Sequence, residues 1–277
     1  MNLKWTPETE PPLFRITPAG WIRVVLRGGA LILILLSGVV VTAAIRLFEQ
    51  AVYGLHRPVT PYITQWVCRA AFVVLGMRHE IEGERMNLPG AVVANHASWL
   101  DIFALNARKR IYFVSKSEVA GWPGIGVLAK ITGTVFIARD PRQARAQTEL
   151  FEARLLAGHK LLFFPEGTST DGLRVLPFKS TLFQAFFSQS LRHEMYIQPV
   201  TVIYTEPKGQ DPRFYGWWGD MGFGPHALKV LAAFPQGSVK VVYHLPVKVD
   251  EFPDRKMLTG HLEMVVRQGM SQACLDV

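Results

Sequence analysis

The stretch that decides the fold covers residues 90–101 and has the sequence GAVVANHASWLD. Its first five residues are short and continuously apolar, which is typical of a strand that is buried on both faces. Leu100 begins a segment with the pattern of a helix start. Because active sites of open α/β sheets lie at the carboxyl ends of strands, the polar turn between these two elements is a candidate site.

Within this turn, His96 and Asp101 are five residues apart. Across a strand-to-helix turn, the carboxylate can accept a hydrogen bond from one imidazole N–H, which leaves the other ring nitrogen available as a base. The same residues also fit a structural role, in which Ser98 or Asp101 caps the helix and the histidine is a hydrogen-bonded core residue. The spacing alone leaves both interpretations open.

From about Met77 onward, short apolar runs alternate with helical patterns. Near-continuously apolar strands separated by helices indicate a sheet that is covered on both faces. We therefore predict an α/β fold with a mixed, largely parallel sheet covered by helices. The predicted strands are residues 90–94, 111–114, 133–138, 160–164, 197–204 and 239–243, and the predicted helices are residues 100–107, 143–157, 181–192 and 258–273.

Near the N-terminus, residues 28–45 form the uncharged apolar stretch GGALILILLSGVVVTAAI. Eighteen residues at about 1.5 Å each make a helix of about 27 Å, close to the thickness of the hydrocarbon layer. We predict a membrane-inserted helix, with a cleaved signal peptide and a buried helix of a soluble protein as alternatives. Residues 62–77 are a shorter candidate, which could return within one leaflet, lie at the interface or be a core helix.

The composition combines 49% hydrophobic residues with a formal net charge of +8. Only 19% of the residues are charged and aromatic side chains are frequent, which excludes an intrinsically disordered chain. Several basic residues, such as Arg23 and Arg27, flank the apolar segments, and no zinc finger, RNA-recognition signature or long basic helix is present. We therefore expect anionic membrane lipid, and not nucleic acid, as a partner. Two cysteines, Cys68 and Cys274, provide no disulfide framework.

Two further predicted strands contain or precede residues that are candidates for the functional site. Arg139 follows the strand at residues 133–138, and a guanidinium in that place suits an anionic substrate, although it also fits a surface position. The strand at residues 197–204 is mostly apolar and contains Pro199, so that it also fits an ordinary core strand.

The run FPEGT at residues 164–168 ends another predicted strand. It supplies the carboxylate of Glu166, a hydroxyl on Thr168, and Gly167, whose small size lets backbone approach a ligand. Lys179 lies shortly beyond this turn. Since turns of this composition are common, the run by itself is ambiguous.

In this order and at these spacings, the four segments resemble the sequence blocks of the glycerolipid acyltransferase family, which includes bacterial 1-acylglycerol-3-phosphate acyltransferases. The blocks NHxSxxD, GxxFIxR and FPEGT, and a final proline-bearing strand, are matched by residues 95–101, 133–139 and 164–168 and by Pro199. The resemblance covers roughly residues 91–204, and an N-terminal membrane segment is also expected of the family.

The resemblance implies acyl transfer without a covalent enzyme intermediate, and it implies neither a metal nor a cofactor. His96 would remove the proton from an acceptor hydroxyl, whose oxygen attacks the thioester carbonyl of acyl-CoA or of an acyl carrier protein. Asp101 would orient His96 and stabilise its charged form. The residues expected to contact the substrate are Asn95, Ser98, Arg139, Glu166, Gly167, Thr168 and Lys179, with Arg139 on the phosphate.

The first expectation for the acceptor is 1-acyl-sn-glycerol-3-phosphate, which would give phosphatidic acid. Two departures bear on it: Ser180 stands where many family members have glycine, and residues 214–221, FYGWWGDM, are rich in aromatic side chains. This aromatic block is similar to bacterial lyso-ornithine lipid acyltransferases, so a phosphorus-free acceptor is the alternative, and Arg139 would then bind a carboxylate. The block also fits an amphipathic loop at the bilayer interface.

The resemblance implies a bacterial-type inner-membrane enzyme with its catalytic domain on the cytoplasmic side. We divide the chain into a membrane-anchoring segment, residues 1–78, and an acyltransferase domain, residues 79–277. A lipid hydrolase and a non-catalytic membrane-binding protein are the alternatives. A hydrolase needs a nucleophile, but the chain has no GxSxG motif, and Ser98 lies only two residues from His96.

Overall fold

The computed structural model of the chain describes residues 5–7, 9–138, 142 and 144–275. Within these residues the helices are α1 Pro18–Tyr53, α2 Thr60–Leu75, α3 Asp101–Asn106, α4 Ile125–Thr132, α5 Ala144–Leu156, α6 Phe223–Ala232 and α7 Arg255–Leu275. Short 3-10 helices span Ser117–Gly121, Ser180–Phe187 and Val249–Glu251. The strands are β1 Arg78–Glu82, β2 Gly90–Ala94, β3 Tyr112–Lys116, β4 Val135–Ile137, β5 Leu161–Phe163, β6 Tyr196–Thr205, β7 Ser238–Tyr243 and β8 Val247–Lys248.

In the described part of the chain, the strands form an 8-stranded sheet in the order β1-β7-β6-β2-β5-β3-β4, with β8 paired to β6. Neighbouring strands run parallel except for the pairs β6–β7 and β6–β8. The predicted fold class, α/β with a mixed and largely parallel sheet, is therefore confirmed. Because β2 is parallel to both β5 and β6, the carboxyl ends of these three strands lie at one edge of the sheet.

Helices cover both faces of the sheet. On one face, side chains of α2, α3 and α6 share a core with β2, β6 and β7, including Phe72, Leu105, Val230, Val92 and Val241. On the other face, α5, α7 and the 3-10 helix Ser180–Phe187 form a second core, including Leu155, Leu262, Phe183, Val93 and Ile197. Strand β2 is buried along its whole length, as the sequence predicted.

Helix α1 contains the predicted apolar segment of residues 28–45 and extends beyond it at both ends. Its 36 residues make a rod of about 54 Å at about 1.5 Å per residue. By length and composition it could cross a membrane, with a mean hydropathy of 2.5 in its most apolar window. Its large exposed side chains include Trp21, Leu33, Leu36, Val40 and Phe48.

Both ends of α1 are bound to the rest of the protein. Near its start, Arg23 and Arg27 donate hydrogen bonds of 2.7 to 2.9 Å to the carbonyl groups of residues 231–233, at the end of α6. Carbonyl groups at a helix C-terminus attract cations. The expectation that the basic residues beside the apolar segment face anionic lipid is therefore corrected for these two arginines, which bind protein carbonyls.

The other end of α1 caps α2. The buried carboxylate of Glu49 accepts hydrogen bonds of 2.6 and 3.0 Å from the backbone N–H groups of Val59 and Thr60. It also accepts a bond of 2.7 Å from the Thr60 hydroxyl. The first N–H groups of a helix have no partner within the helix, so Glu49 satisfies those of α2 and joins the two helices as a hairpin.

Helix α2 combines a core face with an exposed face. Cys68, Phe72 and Leu75 are buried in the core that α2 shares with the sheet. Trp66 and Val73 are 60% and 81% exposed on its other side. The buried face of α2 agrees with the core helix that was one alternative for residues 62–77. Its exposed face is available for contact with the membrane interface, which was another alternative.

The segment predicted as a helix over residues 181–192 is the shorter 3-10 helix Ser180–Phe187. Phe183 and Phe186 are fully buried, and their ring centroids lie 5.2 and 6.1 Å from that of Phe163. With three residues per turn, both rings reach the same neighbour. The sequence did not predict β1, β8, α4 or α6. Strand β1 is largely polar, β8 has two residues, and glycine or proline interrupts the two helices.

Candidate active site

The candidate site lies at the carboxyl ends of β2 and β5. Parallel pairing places Val93 of β2 beside Phe163 of β5. The turn that follows β2, residues 95–100, therefore meets the FPEGT turn, residues 164–168, at the same edge of the sheet. The structure thus brings together two segments that the sequence separates by about seventy residues.

His96 and Asp101 form a hydrogen-bonded pair. The His96 Nδ1 atom lies 2.7 Å from Asp101 Oδ2, and the side chains are 22% and 0% exposed, respectively. Since a carboxylate accepts hydrogen bonds, Nδ1 of the neutral imidazole carries the proton and Nε2 keeps its lone pair. The imidazole also stacks on the Phe164 ring, with 4.1 Å between the centroids. The histidine is therefore both oriented and partly accessible.

Asp101 begins α3, and its carboxylate accepts three further hydrogen bonds. The backbone N–H groups of Ala97 and Ser98 donate to Oδ2 over 2.9 and 3.0 Å. The hydroxyl of Tyr204, on β6, donates to Oδ1 over 2.6 Å. Burial and the Asp101 charge raise the pKa of Tyr204 well above its ordinary value, so the hydroxyl stays protonated as a donor.

Glu166, in the turn after β5, binds the backbone of the turn that contains His96. Its Oε1 accepts a bond of 2.7 Å from the His96 backbone N–H, and its Oε2 accepts one of 2.6 Å from the Leu176 N–H. Burial raises the pKa of this carboxyl group to about 8. The backbone of Thr170 adds a bond of 2.9 Å from its N–H to the His96 carbonyl oxygen. The FPEGT turn therefore holds the backbone of the catalytic candidate.

Asn95 and Ser98 point into the protein. The side-chain amide of Asn95 donates to the Val202 carbonyl over 2.9 Å and accepts from the Val202 N–H over 2.7 Å. This reciprocal pair ties the end of β2 to β6. The Ser98 hydroxyl is fully buried and has no hydrogen-bond partner within the part of the chain that the structure describes.

The side chain of Lys179 lies against Gly167 of the FPEGT turn. The φ of Gly167 is +73°, a backbone conformation that favours glycine, and a Cβ atom at this position would lie 2.5 Å from Lys179 Nζ. The Lys179 backbone N–H also donates to the Pro165 carbonyl over 2.9 Å. Gly167 and Lys179 are thus neighbours, and Thr168 is partly exposed in the same turn. Arg139 lies outside the described residues.

The aromatic block of residues 214–221 packs against the site. Phe214, Tyr215 and Trp218 are buried, so the interpretation of this block as an exposed interfacial loop is wrong for these three residues. The backbone N–H of Trp217 donates to the Ala97 carbonyl over 2.8 Å, which ties the block to the turn that carries His96. The Tyr215 ring also lies 5.6 Å from that of Tyr204.

Tyr204 is the site residue that sequence reasoning missed. It ends the fourth segment, where its only signal is a polar hydroxyl at the end of an apolar strand. Its partner Asp101 is 103 residues away along the chain. Only the register of β2 on β6, in which Ala94 pairs with Val200, brings the two elements together.

Comparison with known proteins decides the family. A family model described as Acyltransferase matches residues 78–203. A lyso-ornithine lipid O-acyltransferase of Rhodobacter capsulatus is 56% identical over 268 residues, which cover 97% of this chain and 97% of that protein. This chain belongs to the glycerolipid acyltransferase family. The resemblance found in the four sequence segments is confirmed, and the chain is an acyltransferase.

Other members of the acyltransferase family are more distant. A 1-acyl-sn-glycerol-3-phosphate acyltransferase of Neisseria gonorrhoeae is 32% identical over 64% of this chain and 67% of that protein. The crystal structure of the 1-acyl-sn-glycerophosphate acyltransferase of Thermotoga maritima has a TM-score of 0.64 at 22% identity, and the match covers 92% of this chain and 97% of that one. This last likeness shows that the two acyltransferases share a fold.

We predict that Tyr204→Phe lowers the kcat of the acyltransferase roughly 10-fold while KM changes less than about 2-fold. The variant removes one hydrogen bond to a charged acceptor, a contribution of about 1.5 kcal/mol, and leaves the ring in place. Steady-state thiol release from an acyl thioester measures both constants.

Tyr243→Phe is the matched control for Tyr204. Tyr243 is also a buried tyrosine, and its hydroxyl has no hydrogen-bond partner among the described residues. We expect this variant to keep the wild-type kcat. An equal loss of kcat in both variants, or no loss in Tyr204→Phe, would contradict the proposed support of Asp101.

The raised pKa of Glu166 leads us to predict that the stability of the protein depends on pH. The Glu166 pKa of about 8 in the native protein lies above the ordinary glutamate value of 4.5, so the native state holds this proton more tightly than the unfolded chain. The resulting stabilisation is fully present below about pH 4.5 and is lost as the pH rises through about 8. We expect the melting temperature of the wild type, relative to Glu166→Gln, to fall over this interval.

Melting in detergent micelles at several pH values measures this difference. Glu251→Gln, which alters an exposed glutamate, should keep the wild-type pH slope. A constant difference between the wild type and Glu166→Gln at all pH values would show that Glu166 titrates alike in both states.

Proposed function

We propose that this chain transfers a fatty acyl group from a thioester donor to the hydroxyl group of lyso-ornithine lipid. The reaction rests on one geometric observation, the His96–Asp101 hydrogen bond of 2.7 Å, which leaves Nε2 of a partly exposed imidazole as a base. The choice of acceptor is supported by the 56% identity to a lyso-ornithine lipid O-acyltransferase along nearly the whole chain.

In the proposed mechanism, His96 Nε2 takes the proton from the acceptor hydroxyl as its oxygen attacks the thioester carbonyl carbon. The tetrahedral intermediate collapses with cleavage of the C–S bond, and the imidazolium returns the proton to the departing thiolate. Asp101 stabilises the imidazolium through Nδ1–H. The products are an ester and a free thiol of coenzyme A or of an acyl carrier protein, so the step needs no other reactant.

The other site residues take two roles in this proposal. Asn95, Ser98 and Glu166 position the turn, because they are buried and the amide and carboxylate bind backbone groups. We place Gly167, Thr168 and Lys179 against the acceptor head group. Arg139 is assigned to its carboxylate by the family motif alone.

A second acceptor, 1-acyl-sn-glycerol-3-phosphate, has its own support. It is the first expectation from the sequence blocks, and the Neisseria relative carries this activity in its name. The cation of Lys179 beside Gly167 suits a phosphate as well as a carboxylate. A lipid hydrolase has less support, since the hydroxyl of Ser98 is fully buried.

We also propose that the protein associates with the inner leaflet of a bacterial inner membrane, with residues 79–277 catalytic and residues 1–78 as the anchor. The exposed apolar side of α1 supports membrane contact. Arg23 and Arg27 bind the start of α1 to α6, and Arg57, just after the end of α1, donates a hydrogen bond of 2.8 Å to a carbonyl group of α4. We therefore place the helix along one leaflet. A helix crossing a hydrocarbon layer of about 30 Å would separate these ends.

We expect His96→Ala to lose at least about 1,000-fold in kcat while the protein stays folded, because only the base is removed. The control is His193→Ala, since His193 also faces a carboxylate, Asp250 at 3.3 Å, but its side chain is 70% exposed on the surface. Thiol release from an acyl thioester, with product ester identified by mass spectrometry, measures the transfer. Wild-type transfer by His96→Ala would overturn the mechanism.

The same assay with several acceptors tests the substrate. We expect kcat/KM to be at least about 10-fold higher on lyso-ornithine lipid than on lysophosphatidate or other lysolipids. The reverse order would assign the glycerol phosphate acceptor instead. Thiol release without any acceptor, at the rate of transfer, would make the protein a hydrolase.

A further inference from the structure

A groove separate from the catalytic turn lies between α2 and the edge strand β1. It has a volume of about 430 Å³. We define the α2–β1 groove by six of its lining residues, which come from α2, β1 and the turn after α3: Arg69, Phe72, Val73, Arg78, His79 and Arg108. Strands β7 and β6 lie between β1 and β2. At about 4.8 Å per strand spacing, β1 and its groove therefore lie about 14 Å from β2, the strand that leads to His96.

The rim of the α2–β1 groove is cationic. The guanidinium of Arg69 is held in place by a hydrogen bond of 2.6 Å from Nε to the Ala107 carbonyl. Within the described residues, neither Arg69 nor Arg108 has a carboxylate partner, whereas Arg78 pairs with Glu80 at 2.8 Å. Two guanidinium groups without a counter-ion therefore face one concave surface, which favours an anion.

His79 lies inside the groove, near both of these arginines. Burial and the neighbouring charges of Arg108 and Arg69 lower its pKa to about 4. The neutral imidazole stacks on Phe72, with 4.7 Å between the ring centroids. With Phe72 and Met77 buried beneath it, the floor of the groove is apolar while its rim is charged.

The groove continues into an exposed apolar stripe. Trp66, Arg69 and Val73 follow one face of α2 at helical spacing, and Trp66 and Val73 are 60% and 81% exposed. Helix α1 packs beside α2, since a Cβ on Gly38 would lie 2.6 Å from the Val67 side chain. Aromatic and aliphatic side chains next to arginine are the composition of a surface that lies at the membrane interface.

We propose that the α2–β1 groove binds the phosphate group of an anionic membrane lipid, with Arg69 and Arg108 on the phosphate and the acyl chains along Val73 and Trp66. The ligand is the bilayer lipid itself and not the acceptor at His96, so the proposal does not depend on which lysolipid is acylated. An anionic lipid fits better than a free phosphate because the charged rim adjoins exposed apolar side chains.

The test compares binding to vesicles of phosphatidylcholine with and without phosphatidylglycerol. The full-length double variant Arg69→Gln/Arg108→Gln should lose about 10-fold or more of its partition into the anionic vesicles. Its binding to phosphatidylcholine alone should match that of the wild type. The matched control Arg255→Gln/Lys256→Gln removes two charges from α7, on the opposite face of the sheet, and should lose less than about 3-fold.

Two measurements keep the outcome clear. Thiol release in detergent should be unchanged in both double variants, which shows that they fold. If Arg69→Gln/Arg108→Gln does not fold, the single variant Arg108→Gln replaces it. Inorganic phosphate, compared with chloride at equal ionic strength, should not displace the vesicles. Equal losses of vesicle binding in the two double variants, or displacement of the vesicles by phosphate, would overturn the proposal. It would also be overturned if Arg69→Gln/Arg108→Gln selectively lost binding to an acidic acyl carrier protein.

Discussion

The buried carboxylate of Asp101 is the interaction on which the site depends. It accepts hydrogen bonds from His96 Nδ1, from the N–H groups of Ala97 and Ser98, and from the Tyr204 hydroxyl. These donors come from the turn between β2 and α3 and from the end of β6. A single charge therefore fixes the histidine tautomer, shapes the turn and joins two strands. Its burial is tolerated because all four donors are in place.

Around this carboxylate, the residues that position the turn differ from those that we propose contact the substrate. Asn95 and Glu166 bind backbone groups and hold the turn, whereas Gly167 and Lys179 lie together at the adjacent FPEGT turn. The aromatic block adds a second support through Trp217 and through Tyr215 beside Tyr204. A turn held from three sides keeps His96 oriented before any substrate binds, which reduces the reorganisation needed for reaction.

The sequence predicted the local parts of this arrangement and not the distant ones. The strand before His96 and the helix after it follow from the local pattern of apolar residues. The pair His96–Asp101 is implied by the resemblance to the family motif, since its spacing alone also fits a structural role. Tyr204 could not be predicted, because its role depends on the register of β6 against β2. The roles of Arg23 and Arg27 depend on where α6 ends in space. Composition identified excess basic charge without showing which arginines bind carbonyl groups.

Asp101 holds the neutral imidazole of His96 with its proton on Nδ1 and a free lone pair on Nε2. Long-range ¹H–¹⁵N correlation spectra of the histidine-labelled protein in micelles report this tautomer directly, with His96→Gln identifying the resonance. We expect a protonated Nδ1 and an unprotonated Nε2 for His96. A neutral ring with its proton on Nε2 would contradict this expectation, because that ring could not act as the base while bonded to Asp101.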